Sequence, residues 1–115
     1  MSDKDQLKLD QSRLVAAWQR ILPTTLDSTD KVEVKADESD EKAIRIWIAA
    51  AGHSMYTFDF KCTYVDSREV KVELVDVEKA GLHVDEDSKL IQDLIKDYIR
   101  DIHECAQALD QLTHS

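Results

Sequence analysis

The chain has 115 residues, enough for a single domain around one core and too short for two. Its 24 acidic and 15 basic side chains leave a formal net charge of −9. Acidic residues outnumber basic ones by five to four in 1–30, eleven to eight in 31–84 and eight to three in 85–115, so no segment invites DNA, RNA or an anionic membrane.

Hydrophobic residues make up 43% of the chain, and there are only two Gly and one Pro, which predicts long regular elements with little irregular loop. The opening residues carry no apolar run of the secretory kind, and the longest apolar stretch, 46–52, is far too short to cross a bilayer. Cys62 and Cys105 sit inside regular segments without a pairing motif, which fits a reducing compartment and a cytoplasmic location.

Leu7, Leu14, Val15, Trp18, Ile21 and Leu22 recur at helical spacing and predict a first helix over about 5–22, ended by Pro23. The Asp10-Gln11-Ser12 run offers a later start. A turn-rich connector over 23–30 follows.

Period-two alternation then predicts four strands, over about 31–36, 42–50, 55–65 and 69–77. Val32, Val34 and Ala36, then Ile44, Ile46 and Ile48, then Tyr56, Phe58, Phe60, Cys62 and Tyr64, then Val70, Val72 and Leu74 share the inner face. Short turns favour an antiparallel meander. Matching opposite charges across the outer face predicts that residue 34 faces 44, 46 faces 58 and 60 faces 74, aligning Glu33, Arg45 and Asp59 in one row. Leu82 and Val84 alternate and leave room for a brief extra strand.

Asp85-Glu86-Asp87-Ser88 supplies a cap for a final helix over about 86–112, with Ile91, Ile95, Tyr98, Ile102, Cys105, Leu109 and Leu112 as its apolar stripe. The expected fold class is α+β: one domain over 1–115, α-β-β-β-β-α, two layers, with both helices packed on one face of a four-stranded antiparallel meander sheet.

The residues give little sign of catalysis. His53, His83, His103 and His114 have no metal-ligand spacing, and His103 and Cys105 lie two apart on a helix, so they point in different directions. The acidic turn over 37–41 lacks the glycine and terminal Glu of an EF-hand loop. His53, Ser54 and Asp59 have neither a nucleophile elbow nor an oxyanion loop around them. The cysteines fall on inner faces, where a thiol packs as a small hydrophobe. No catalytic residue, metal site or cofactor is expected.

Two surfaces remain. Trp47 falls on the outer sheet face near Lys31 and Thr57, where a wet indole is costly; Met55, Val75 and Val77 extend the patch. Lys31 is placed to stack on the indole. Asp93, Asp97, Asp101 and Glu104 form an acidic flank on the last helix, with Lys89, Lys96 and Arg100 spaced to neutralise it.

The leading expectation is a non-enzymatic protein-interaction domain, with a second copy of the chain among the candidate partners. The alternatives are an acidic nucleic-acid mimic that inhibits a basic DNA- or RNA-binding protein, and a small-ligand carrier with a pocket lined by Tyr56, Phe58, Tyr64 and Tyr98.

Overall fold

The computed structural model describes residues 10–26, 30–50, 56–67, 69–79, 82–83 and 88–114. Helix α1, Gln11–Thr25, opens at Asp10, whose backbone is extended and whose carboxylate accepts the Arg13 N–H and the Ser12 hydroxyl, both at 2.9 Å. That cap satisfies an amide the first turn leaves without a partner, and it starts the helix at Gln11 rather than near residue 5. Leu7 lies outside the described residues.

Pro23 does not end α1. It stands in the last turn, where the missing N–H removes little, and the helix closes two residues later. There the Thr24 and Thr25 hydroxyls donate to the Ile21 and Leu22 carbonyls at 2.6 and 3.0 Å, and Thr25 also reaches the Asp101 carbonyl at 3.1 Å.

Five strands follow: β1 (Lys31–Ala36), β2 (Ala43–Ala49), β3 (Tyr56–Tyr64), β4 (Val70–Lys79) and the two-residue β5 (Leu82–His83). They pair antiparallel in chain order, so the sheet is the expected meander with the short fifth strand added. Helix α2, Lys89–Ala108, is capped by Ser88, whose hydroxyl accepts the Ile91 N–H at 3.2 Å. The expected start at residue 86 lies outside the described residues.

The last helix does not continue unbroken to 112. It breaks at Leu109, and a short α3, Asp110–His114, follows. The break turns Leu112 outward, 42% exposed, and brings Thr113 inside, where its hydroxyl donates to the Ser67 carbonyl at 2.9 Å.

One core joins α1 and α2 to the inner sheet face. Trp18, Phe58, Phe60, Ile44, Ile46, Ile48, Leu22 and Ile102 are fully buried, each contributing roughly 1.5–3 kcal/mol relative to exposure. Tyr98 of α2 packs against Phe58 and Phe60 with ring centroids 5.1 and 6.4 Å away. Trp18 of α1 meets Tyr64 edge-on at 6.5 Å.

Two of the three expected registers are shifted by two residues. Phe60 faces Leu74 as expected, but Ile46 faces Phe60 rather than Phe58, and Val34 faces Ile46 rather than Ile44. Hydrophobic residues keep their face under a shift of two, so only the outer rows change.

Turn closure explains the shift at the β1–β2 hairpin. The Asp37 carboxylate accepts both the N–H and the hydroxyl of Ser39, the Asp37 N–H donates to the Ala43 carbonyl, and the Gln11 amide reaches the carbonyls of Asp37, Asp40 and Ala43 at 2.9–3.0 Å. These bonds tie the turn to α1, and they outweigh cross-strand charge pairs worth only a few tenths of a kcal/mol up to ~1.

A bulge in β4 makes a further correction. Asp59 faces Asp76 while Phe60 faces Leu74, leaving Val75 as the extra residue. Beyond it the faces exchange. Val77 therefore joins the core, fully buried, instead of extending an outer patch, and Val75 bulges into solvent, 48% exposed.

Candidate functional site

Both long helices pack against the inner face of the sheet, and no described element covers the outer face. The observed register arranges that face in rows. Lys35, Arg45 and Lys61 stand side by side, with Glu73 beyond them on β4. The next row is Glu33, Trp47, Asp59 and Asp76, and the next is Lys31, Ala49, Thr57 and Glu78. The expected row of Glu33, Arg45 and Asp59 does not form.

Three neighbouring cations need a counter-ion, and Asp37 supplies it. Its side chain is only 4% exposed, with carboxylate oxygens 3.6 Å from an Arg45 guanidinium nitrogen and 4.0 Å from the Lys61 ammonium. The Ser39 hydroxyl, the Ser39 N–H and the nearby Lys61 hold the Asp37 carboxyl below its ordinary pKa despite the cost of burial. Arg45 Nε is buried without a hydrogen-bond partner among the described residues.

Asp59 shows the opposite behaviour. Desolvation raises its pKa first, Asp76 adds to the rise, and Arg45 and Lys35 oppose it.

Trp47 sits half-buried in the middle of this face, facing Glu33 on one side and Asp59 on the other. Lys31 and Thr57 lie in the adjoining row, so the structure brings the three expected residues onto one surface. Stacking of Lys31 on Trp47 is not observed; the cation–π contact among the described residues is Lys79 over Tyr56, at 5.2 Å. Met55 lies outside the described residues. The indole N–H of Trp47 has no hydrogen-bond partner among the described residues, in contrast to the buried Trp18, whose N–H donates to Tyr64.

The acidic flank of α2 lies in the other layer, away from Trp47. Asp93, Asp97 and Glu104 are exposed, and Asp101 is half-buried. Lys89 lies 3.5 Å from Asp93, and Arg100 lies 3.6 Å from Asp97 and 3.8 Å from Asp101. Burial raises the Asp101 pKa, with Arg100 opposing the shift.

Cys62 and Cys105 are free and buried. Desolvation pushes the Cys105 thiol up to about 12 and Cys62 well above the usual thiol range, so neither is poised as a thiolate. No group of three metal-ligating side chains occurs among the described residues. His53 lies outside them, as do the side chains of His83 and His114, and His103 is exposed on α2. No described helix is long and apolar enough to cross a membrane. Of the four aromatics expected around a carrier pocket, Phe58 and Tyr98 pack on each other at 5.1 Å, Tyr64 meets Trp18 edge-on, and Lys79 lies over the Tyr56 ring.

Sequence reasoning missed the roles of Gln11 and Asp37. A glutamine on a helix and an aspartate in a turn are common; the importance of Gln11 comes from contacts across 26 to 32 residues of chain, and that of Asp37 from ion pairs to Arg45 and Lys61 on β2 and β3. Compared with known proteins, the chain matches no family model, no curated protein and no solved structure.

Proposed function

We propose that this protein is a non-enzymatic, cytoplasmic interaction module that presents the open face of its sheet, centred on Trp47, to a protein partner. The observation that carries this reading is the contrast between the two tryptophans. Trp18 is fully buried with its N–H satisfied, whereas Trp47 stands half-buried on a face that no described element covers, with its N–H unengaged among the described residues. An indole flanked by fixed charges of both signs suits the centre of an interface, where apolar area supplies affinity and charges supply orientation.

The buried, protonated thiols add support for a role without chemistry. The nucleic-acid-mimic alternative draws less support, because Lys89 and Arg100 offset the carboxylates of α2 that it needs. The carrier alternative draws less support, because Phe58, Phe60 and Tyr98, which it would need around a ligand, pack on one another.

The test is a crosslinking pull-down from the native host with three baits: the wild-type protein, Trp47→Ala, and the double variant Asp93→Lys/Asp97→Lys. The sheet-face reading expects specific partners to be lost with Trp47→Ala and kept with the double variant. The reverse pattern would transfer the function to α2.

A further inference from the structure

β1 is the first strand of the sheet, and one of its long edges has no strand beside it. The Val34 carbonyl points to that edge, because it accepts from the Gln19 side chain of α1 at 3.0 Å instead of from β2. The Asp37 N–H points the other way, to Ala43 across the hairpin. By the alternation of a strand, Val32, Val34 and Ala36 direct their backbone groups to the free edge, while Lys31, Glu33 and Lys35 bond to β2. Among the described residues, Val32 and Ala36 have no hydrogen-bond partner on that edge.

A groove of about 450 Å³ runs along this edge, lined by Gln19, Val32, Glu33, Val34 and Lys35. The Gln19 amide lies in it and makes the bond that the N–H of an added strand would make.

We propose that β1 is a self-association edge: two copies of this chain pair antiparallel through it, about a two-fold axis at Val34. The charge pattern singles out this partner and this register. Since even-numbered residues direct outward, even must face even across the new pair. Centring on Val34 places Glu33 against the partner's Lys35 and Lys35 against the partner's Glu33, with Val32 against the partner's Ala36 on the apolar face. Centring on Glu33 sets Glu33 against itself and Lys31 against Lys35; centring on Lys35 sets Lys35 against itself and Glu33 against Asp37. Like charges directly opposite are destabilising; centring on Val32 also sets Glu33 against Lys31 but leaves Lys35 facing an uncharged residue, so the Val34-centred arrangement is the one that sets each of Lys31, Glu33 and Lys35 against an opposite charge.

Glu33 and Lys35 are both exposed and free to pair. Gln19 acts as a removable cover: it satisfies the Val34 carbonyl in the single chain and yields it to the partner's Val34 N–H. Such cover is one way a natural sheet protects an edge it does not always use. The pairing joins the two sheets into one, and it uses a different surface from the Trp47 face.

The experiment is sedimentation velocity from low to high micromolar concentration, at about 0.15 M salt so that the −9 charge of each copy is screened. The wild-type protein is expected to dimerise with rising concentration. Lys35→Glu alone and Glu33→Lys alone each create two like-charge pairs and should weaken the dimer about tenfold or more. An equal mixture of the two single variants restores opposite charges in both pairs and should recover the dimer. Recovery on mixing also shows that both variants are folded, and Trp47→Ala should leave the dimer unchanged.

A wild-type chain that stays monomeric throughout overturns the proposal, whatever else occupies the groove. So does a dimer indifferent to both single variants, or a loss that mixing fails to repair.

Discussion

The indole N–H of Trp18 donates to the phenol oxygen of Tyr64 at 3.1 Å, with the rings nearly perpendicular at 85°. This bond links α1 to β3 through the core, and it is the polar contact that lets a tryptophan be fully buried there. Tyr64→Phe keeps the ring and removes the acceptor, leaving a buried donor without a partner. The expected cost is about 1–3 kcal/mol, read as a lower urea midpoint with an unchanged slope.

The β4 bulge predicts opposite outcomes for two valines two positions apart. Val77→Ala opens a cavity in the core and should cost about 2 kcal/mol or more, whereas Val75→Ala, on the exposed bulge, should stay within about 0.5 kcal/mol. Equal effects in chemical denaturation would mean that the strand alternates without interruption.

How much of this fold is legible in the chain shows most clearly in β4. The run of Val70, Val72 and Leu74 reads directly as an inner face, and the change of parity at Val75 and Val77 is itself the signature of a bulge. Read as continuous alternation, the same residues put Val77 outside. The meander, both long helices and the outward placement of Trp47 follow from periodicity alone, since burial imposes it locally.

Register does not. It depends on the Gln11 amide reaching three carbonyls in a distant turn and on Asp37 neutralising Arg45 and Lys61, contacts that no local pattern announces. Cross-strand charge matching therefore misled for the β1–β2 and β2–β3 pairs and held for β3–β4, while the hydrophobic faces survived because the error was two residues.

Asp59 and Asp37 shift in opposite directions, and that sets a pH dependence. Asp59 has its pKa raised, so its protonated form favours folding below the ordinary carboxylate value, and that contribution is lost as pH rises through its folded value. Around it stand Arg45, Lys35 and Asp76, with Glu33 and Lys61 on the same face. Asp59→Asn should melt higher than wild type at pH 7, and the two should converge below the ordinary carboxylate range.

Asp37 has its pKa lowered, so its contribution is present above the ordinary value and lost as pH falls through the lower folded value. Asp37→Asn should be less stable than wild type at pH 7. Thermal unfolding of both variants across acid to neutral pH checks the two signs together.

The buried thiols give a kinetic prediction. Neither Cys62 nor Cys105 should react with a thiol reagent at neutral pH while the chain is folded, because both are buried and held as thiols. Labelling should follow the opening of the structure and rise with denaturant. Rapid native labelling of either residue would place it outside the core.

In the proposed function the sheet's open face, and not the helical layer, meets the partner. The most direct measurement of this uses a photo-crosslinking amino acid introduced in the native host at Thr57, in the row beside Trp47, and separately at Lys96, exposed on α2. Position 57 is expected to give discrete adducts to another protein that disappear when Trp47→Ala is added, and position 96 none of comparable yield. Adducts formed from position 96 alone, or adducts at 57 indifferent to Trp47→Ala, would contradict it.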